Sequence, residues 1–320
     1  MKNLPPLAAL LFATLTLAGS PAAGADGDRA GGPDKPSVDL QRFGEKQTDP
    51  AFGAYQRGLY KTAYNLALPR AENGDAAAQA LVAEILARGL GLPRDPAEAA
   101  KWYGKAAQAG IAEAQFQYAL VLSDGKYAGP DPDRAFELMR SAADAGNRLA
   151  MFNFAQMLIN REAGEAGLAK AVPYYEKAAE AGLPDAQYAM AQLYANGAAG
   201  RPRDEARARE YLVLAARQNY DTAQLDLGTW LVEGRGGERD YQAGFGWMKR
   251  AAQSGNVAAR NRLAKLYVHG LGTEPDPIEA AAWYITARRA GLRDRDMDDF
   301  LQGLTNEEQK KAIERANRLR

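Results

Sequence analysis

Residues Asp95 to Gly110 read DPAEAAKWYGKAAQAG, and this stretch decides the fold. Its apolar positions Ala99, Trp102, Tyr103, Ala106 and Ala107 fall at i, i+3, i+4, i+7 and i+8, which is one face of an α-helix. Asp95 is placed to cap the first turn, Pro96 sits where a helix tolerates proline, and Gly110 is placed to end the helix in a left-handed conformation. The helix is therefore specified at both ends as well as along its face. It recurs every 36 or 37 residues, six times.

Alignment of the six units, 75–110, 111–146, 147–182, 183–219, 220–255 and 256–291, exposes columns. The fourth position is Ala78, Ala114, Ala150, Ala186, Ala223 and Ala259; the ninth is Ala83, Ala119, Ala155, Ala191, Gly228 and Ala264. Small residues at both places predict a first helix that another helix approaches closely. The twelfth position, Leu86, Leu122, Leu158, Tyr194, Leu231 and Tyr267, belongs to the same packed face. In the second helix the place of Trp102 is taken by Leu138, Tyr174, Tyr211, Trp247 and Trp283, large groups that read as core rather than as a cofactor box. A glycine, Gly89, Gly125, Gly197, Gly234 or Gly270, opens the loop between the helices, and Asp95, Asp131, Asp204, Asp240 or Asp276 closes it as an N-cap. The third unit has Arg161 in place of the glycine, which predicts a reshaped loop.

Outside the units, residues 1–25 read as a secretory signal, with Lys2, the apolar run Leu7 to Ala18, and Ala23-Gly24-Ala25 as a cleavage site. An uncleaved anchor is the weaker reading, because the apolar run is shorter than the ~20 residues of a spanning helix. Residues 26–50 read as a flexible leader of Gly, Asp, Pro and Lys. Residues 51–74 form an N-terminal capping hairpin of two helical pieces, and residues 292–320 form C-terminal capping helices, with Thr305 and Glu308 as a capping box.

The pattern A-x-x-x-L-A-x-x-x-x-x-G-x-G followed by D-x-x-x-A-x-x-W-Y-x-K-A-A-x-x-G resembles the Sel1-like repeat family, which is related to the tetratricopeptide repeats. The likeness is carried by AAAQALVAEILARGLG from Ala76, AKWYGKAAQAG from Ala100, LAKLYVHGLGT from Leu263 and AAAWY from Ala280. It implies an all-α, right-handed α-solenoid of helix hairpins. It also implies a binding scaffold of secretion, cell-envelope or signalling assemblies, such as the periplasmic regulators of sensor kinases. A cysteine-rich branch of the family is credited with β-lactam binding or hydrolysis. That activity is not carried over, because its hallmark is a disulfide in each repeat and this chain has no cysteine.

Composition narrows the chemistry further. Across 320 residues, 47% hydrophobic, forty Lys and Arg balance forty Asp and Glu, so nothing in the net charge points to nucleic acid. The absence of cysteine removes disulfides, iron–sulfur clusters, thiolate zinc sites and a cysteine nucleophile. His269 is the single histidine, and its column holds Arg88, Asp124, Asn160, Asn196 and Glu233, so it reads as a solvated helix end. The acidic runs Asp131-Pro132-Asp133 and Asp294 to Asp299 read as capping and a charged edge rather than calcium loops. Arg201, Arg203, Arg207 and Arg209 are interleaved with acids, and Gly-x-Gly follows a helix rather than a strand, which is a poor phosphate cradle. No cofactor, metal or catalytic residue is expected.

What remains is the face of the first helices. The sixth position runs Ala80, Phe116, Phe152, Tyr188, Leu225 and Asn261, an aromatic stripe with polar ends. Two readings stay open: the rings lean into the next unit, or they line a concave groove. In the groove, Phe116, Phe152 and Tyr188 are anchors, and Gln117, Asn153, Gln156 and Gln192 hydrogen-bond a peptide. The expected function is a monomeric, exported, non-catalytic scaffold that captures a segment of another protein, with no stable membrane insertion after cleavage of the signal. The competing class is an envelope enzyme, either β-lactam-directed or a cell-wall hydrolase.

Overall fold

The computed structural model describes residues 49–319, so the expected signal segment and nearly all of the leader lie outside the described residues. Among the described residues there are helices and no strand. A first hairpin, α1 (Pro50–Gln56) and α2 (Tyr60–Glu72), precedes six helix pairs. The pairs are α3 (Ala76–Arg88) with α4 (Pro96–Gln108), α5 (Ala112–Asp124) with α6 (Pro132–Asp144), and α7 (Arg148–Arg161) with α8 (Glu165–Glu180). They continue with α9 (Pro184–Asn196) and α10 (Glu205–Arg217), α11 (Asp221–Glu233) and α12 (Tyr241–Gln253), and α13 (Val257–His269) and α14 (Pro277–Arg289). Two further helices, α15 (Arg295–Gly303) and α16 (Asn306–Ala316), follow them. From α1 to α14 each helix packs on its neighbours in sequence, α16 folds back onto α14, and the array is a right-handed α-solenoid of hairpins with capping helices at both ends.

The leader was expected to run through residue 50, but helix begins there. Asp49 accepts from the backbone N–H groups of Ala51 and Phe52, and Pro50 fills the first helical position, so the last two residues assigned to the leader cap and start the first turn.

The second helices start as their spacing predicts. The Asp95, Asp131, Asp204, Asp240 and Asp276 side chains each accept a backbone N–H from the first turn of the helix that follows. Gly89, Gly125, Gly234 and Gly270 end first helices in the left-handed region. The second glycine of Gly-x-Gly has a packing role. A Cβ on Gly272 would lie 2.0 Å from the Tyr241 carbonyl oxygen at the start of α12, at a φ of +76°, so only glycine fits where the loop crosses the previous unit.

The third unit is rebuilt as its missing glycine predicts. Helix α7 runs on to Arg161 and stops at an extended Glu162, and α8 starts after Gly164, so the loop shrinks and α8 gains a turn. Gly167 makes this possible, because a Cβ there would sit 1.8 Å from the Glu162 carbonyl oxygen.

The alanines of the fourth column and those of the ninth are buried in every unit. Where the ninth column has Gly228, α11 and α12 meet backbone to backbone: a Cβ on Gly228 would be 3.1 Å from the Gly244 carbonyl oxygen. Trp102, Leu138 and Trp283 are buried as expected, whereas Tyr174, Tyr211 and Trp247 are half-buried at the margin of the core. The core runs without a break from Ala51 to Leu231, and a second cluster from Met248 to Met297 closes the C-terminal end.

Candidate functional site

Successive first helices are tied side by side by polar side chains, which defines their common face. Asn147 donates to Glu113 (2.8 Å), Asn256 to Asp221 (3.1 Å) and Asn261 to Asp294 (2.7 Å), each about one unit apart. The expected groove residues all stand on these helices, yet the structure treats them differently.

Phe116 is only 5% exposed and belongs to the continuous core, so it is not a surface anchor. The column gives the direction of a side chain from its own helix; it does not give the depth of cover supplied by the neighbours. Gln117, beside it, is spent within α5, donating to Glu113 Oε1 at 2.9 Å. Asn153 donates to the Leu149 carbonyl at 2.8 Å and keeps only its oxygen for other partners.

Phe152 and Tyr188 are half-buried and thus present part of each ring at the surface. Phe152 tilts against the buried Tyr175 with ring centroids 5.5 Å apart, and Tyr188 against the half-buried Tyr220 at 5.2 Å, so each ring is braced by another aromatic. Tyr188 and Gln192 converge on a group that the columns did not reveal. The Tyr188 hydroxyl donates to Asp226 Oδ2 at 2.9 Å and Gln192 Nε2 donates to the same oxygen at 3.4 Å. Burial raises the Asp226 carboxyl above its ordinary range, although Tyr188, Arg262, Arg235 and Gln192 pull the other way. Burial, followed by the Asp226 carboxylate, pushes the Tyr188 hydroxyl far above the usual phenol range, so it remains a donor. The fourth and fifth units thus share a half-open patch with a fixed ring and a carboxylate, and Gln156 stands half-buried one unit earlier, at the position Gln192 takes. This patch provides apolar contact and hydrogen bonding.

The other residues weighed for chemistry in the sequence stand at helix ends, in caps or in ion pairs. Exposed His269 ends α13. Asp294 caps α15 through the Met297 N–H and takes Lys265 at 2.7 Å, while Asp298 accepts from the Tyr284 hydroxyl at 2.8 Å. Arg201 pairs with Glu176, Arg203 with Glu205, and Arg207 lies over the Tyr194 ring. No cluster of three or more His, Asp or Glu side chains suited to a metal ion occurs among the described residues, and none of their helices is long and apolar enough to cross a membrane.

A recurring polar device escaped the sequence reading. The residue at the fifth position of the unit, fourth in the first helix, reaches back to the preceding second helix: Gln79 to the Ala71 carbonyl, Gln115 to Ala107, Gln187 to Ala179 and Gln224 to Ala216. In the last unit Arg260 does the same to Ala252, and Gln309 repeats it in the cap by reaching Leu301. Each bond serves a carbonyl near a helix C-terminus. The available signal was glutamine at one fixed position in four of the six units.

The Sel1 repeat model matches residues 76–111, 112–147, 149–183, 184–220, 222–256 and 257–292. The chain belongs to the Sel1 repeat family. A Sel1 repeat protein from Oxalobacter formigenes is 25% identical over 78% of this chain and 100% of its own, with a TM-score of 0.64. A protective antigen present in uropathogenic Escherichia coli strains, displaying an SLR fold, is 27% identical over 81% of this chain and 63% of its own, with a TM-score of 0.56. Over 80 residues the chain is 31% identical to chitin synthase regulatory factor 3 of Schizosaccharomyces pombe, covering 24% of this chain and only 9% of that protein. Sel1 repeats are in general protein-interaction scaffolds.

Proposed function

We propose that this Sel1 repeat chain is a non-catalytic scaffold of the cell envelope that holds a segment of a partner protein along its first-helix face. The observation that carries this reading is the convergence of Tyr188 and Gln192 on Asp226, together with a half-buried Phe152 one unit earlier that is already braced by Tyr175. Rings fixed in advance lose little entropy on binding, which is what an anchor requires. The anchors are Phe152 and Tyr188, with Gln156, Gln192 and the Asn153 oxygen as hydrogen-bonding groups. Export follows from the signal read in residues 1–25, with the mature chain starting at Asp26.

The test is photocrosslinking in cells from position 156, followed by identification of the captured protein. Phe152→Ala with Tyr188→Ala should abolish the crosslink while thermal unfolding stays cooperative. An undiminished crosslink in that variant would overturn the groove assignment. Mass measurement of the chain purified from the periplasm should give a start at Asp26; an intact Met1 on a cytoplasmic protein would overturn the export reading.

A further inference from the structure

A cavity of about 720 Å³ opens between α14, α15 and α16, at the end of the array and apart from the first-helix patch. One wall is apolar: Ile285 and Leu301 are half-buried, and Ile313 is 47% exposed. The other carries Arg288, Arg289 and Arg293. A single carboxylate, Asp298, shares this lining, and it is already engaged, accepting from the Tyr284 hydroxyl at 2.8 Å and facing Arg288 Nε at 3.6 Å. Arg289 and Arg293 make no ion pair and no hydrogen bond to any described residue. The cleft is therefore positive in a chain whose formal charge is zero.

Arginines at a helix C-terminus ordinarily serve orphan carbonyls and the helix dipole. Here the carbonyls of Thr286, Ala287 and Arg288 are taken by the backbone N–H groups of Ala290, Gly291 and Leu292. Capping thus leaves both guanidiniums unused, and the dipole does not explain an exposed isoleucine beside them. A small inorganic anion would satisfy the arginines but leave the apolar wall wet, and a purely apolar ligand would do the reverse. The volume also exceeds what one side chain fills and falls in the range of ligand clefts, roughly 300–1,000 Å³.

We propose that this cleft docks an acidic amphipathic segment of a partner protein. Leucine-sized side chains rest against Ile285, Leu301 and Ile313, and carboxylates pair with Arg289 and Arg293. A guanidinium fork matches a carboxylate in two parallel hydrogen bonds, which gives the site its selectivity for Asp and Glu. The site is independent of the first-helix patch and is complete within α14 to α16.

The experiment is fluorescence anisotropy of a short fluorescein-labelled peptide alternating glutamate and leucine, titrated with the purified chain. Saturable binding is expected, weakened about tenfold or more by Arg289→Glu with Arg293→Glu and lessened by added salt. The counterpart alternating lysine and leucine should not bind. Phe152→Ala with Tyr188→Ala should leave the affinity unchanged, so the two docking surfaces fail or stand separately. Arg289→Gln with Arg293→Gln gives a second pair should the charge reversal alter the melting curve, and it too should weaken binding. No binding, binding undiminished in both arginine pairs, or equal binding of the lysine peptide overturns the proposal. Arginine-dependent sedimentation with phosphatidylglycerol vesicles in the absence of peptide binding overturns it in favour of a lipid surface.

Discussion

The centre and the C-terminal end of the first-helix face share one frame and differ in chemistry. In α7 and α9 the sixth and tenth positions are Phe152 with Gln156 and Tyr188 with Gln192; in α13 they are Asn261 and Lys265, both bonded to Asp294 at 2.7 Å. The fourth and ninth positions are buried alanines at both ends of that comparison. Interhelix distance fixes the alanines, whereas the polar columns are left to vary. At the centre they leave rings and amides partly open, and at the end they are consumed in tying α13 to α15.

The largest expected effects come from breaking the frame that the two regions share. Trp283→Ala removes a ring that is 2% exposed and should lower unfolding free energy by about 3–5 kcal/mol in denaturant titration. At the same position in the third unit, half-buried Tyr174→Ala should cost clearly less. Gly272→Ala drives a methyl group into the Tyr241 carbonyl and should cost on the order of 2–3 kcal/mol.

Hydroxyls give a finer contrast. The Tyr284 hydroxyl is bonded to Asp298 and to the Asp294 backbone, whereas the Tyr175 hydroxyl is buried without a partner among the described residues. Tyr284→Phe should destabilise by roughly 1–2 kcal/mol. Tyr175→Phe should be neutral or stabilising, because it deletes an unsatisfied group.

The two regions should also respond to acid with opposite signs. Burial raises the Asp226 carboxyl, so its contribution to stability is complete below a pH of about 4 and is lost as pH rises through the folded value. At Asp294 burial works upward too, but the Lys265, Asn261 and Met297 hydrogen bonds outweigh it and lower the carboxyl. Its contribution is present above the unfolded value and is lost as pH falls. Melting temperatures across pH should therefore show Asp226→Asn gaining on the parent chain toward neutrality, and Asp294→Asn losing there and recovering in acid. The smallest effect is expected from His269→Ala, within about 0.5 kcal/mol, since that side chain is exposed.

The frame was legible because close packing leaves a periodic mark: alanine at the fourth position and an aspartate cap before each second helix but one recur whatever the surface does. The missing glycine at Arg161 was equally readable, and it led to a shortened loop. The face was only half legible. Phe116, Phe152 and Tyr188 share one column, but the depth of cover over each depends on residues a full unit away, and Phe116 is the one submerged. Asp226 has no column at all; its neighbours at the seventh position include Gln117, Asn153 and Arg262, so no repetition announces it. The glutamine bonds were missed for the opposite reason, since an amide in a helix reads as surface until its backbone partner is seen.

Those glutamines also make the array a chain of mechanical joints. Gln79, Gln115, Gln187, Gln224 and Arg260 each bolt a first helix to the helix before it, but the third unit has Met151 at that position. The joint between α6 and α7 is latched by rings instead: Phe136 tilts against Phe154 with centroids 5.0 Å apart and the Arg161 guanidinium lies over Phe136, so apolar packing does there what an amide does at the other joints.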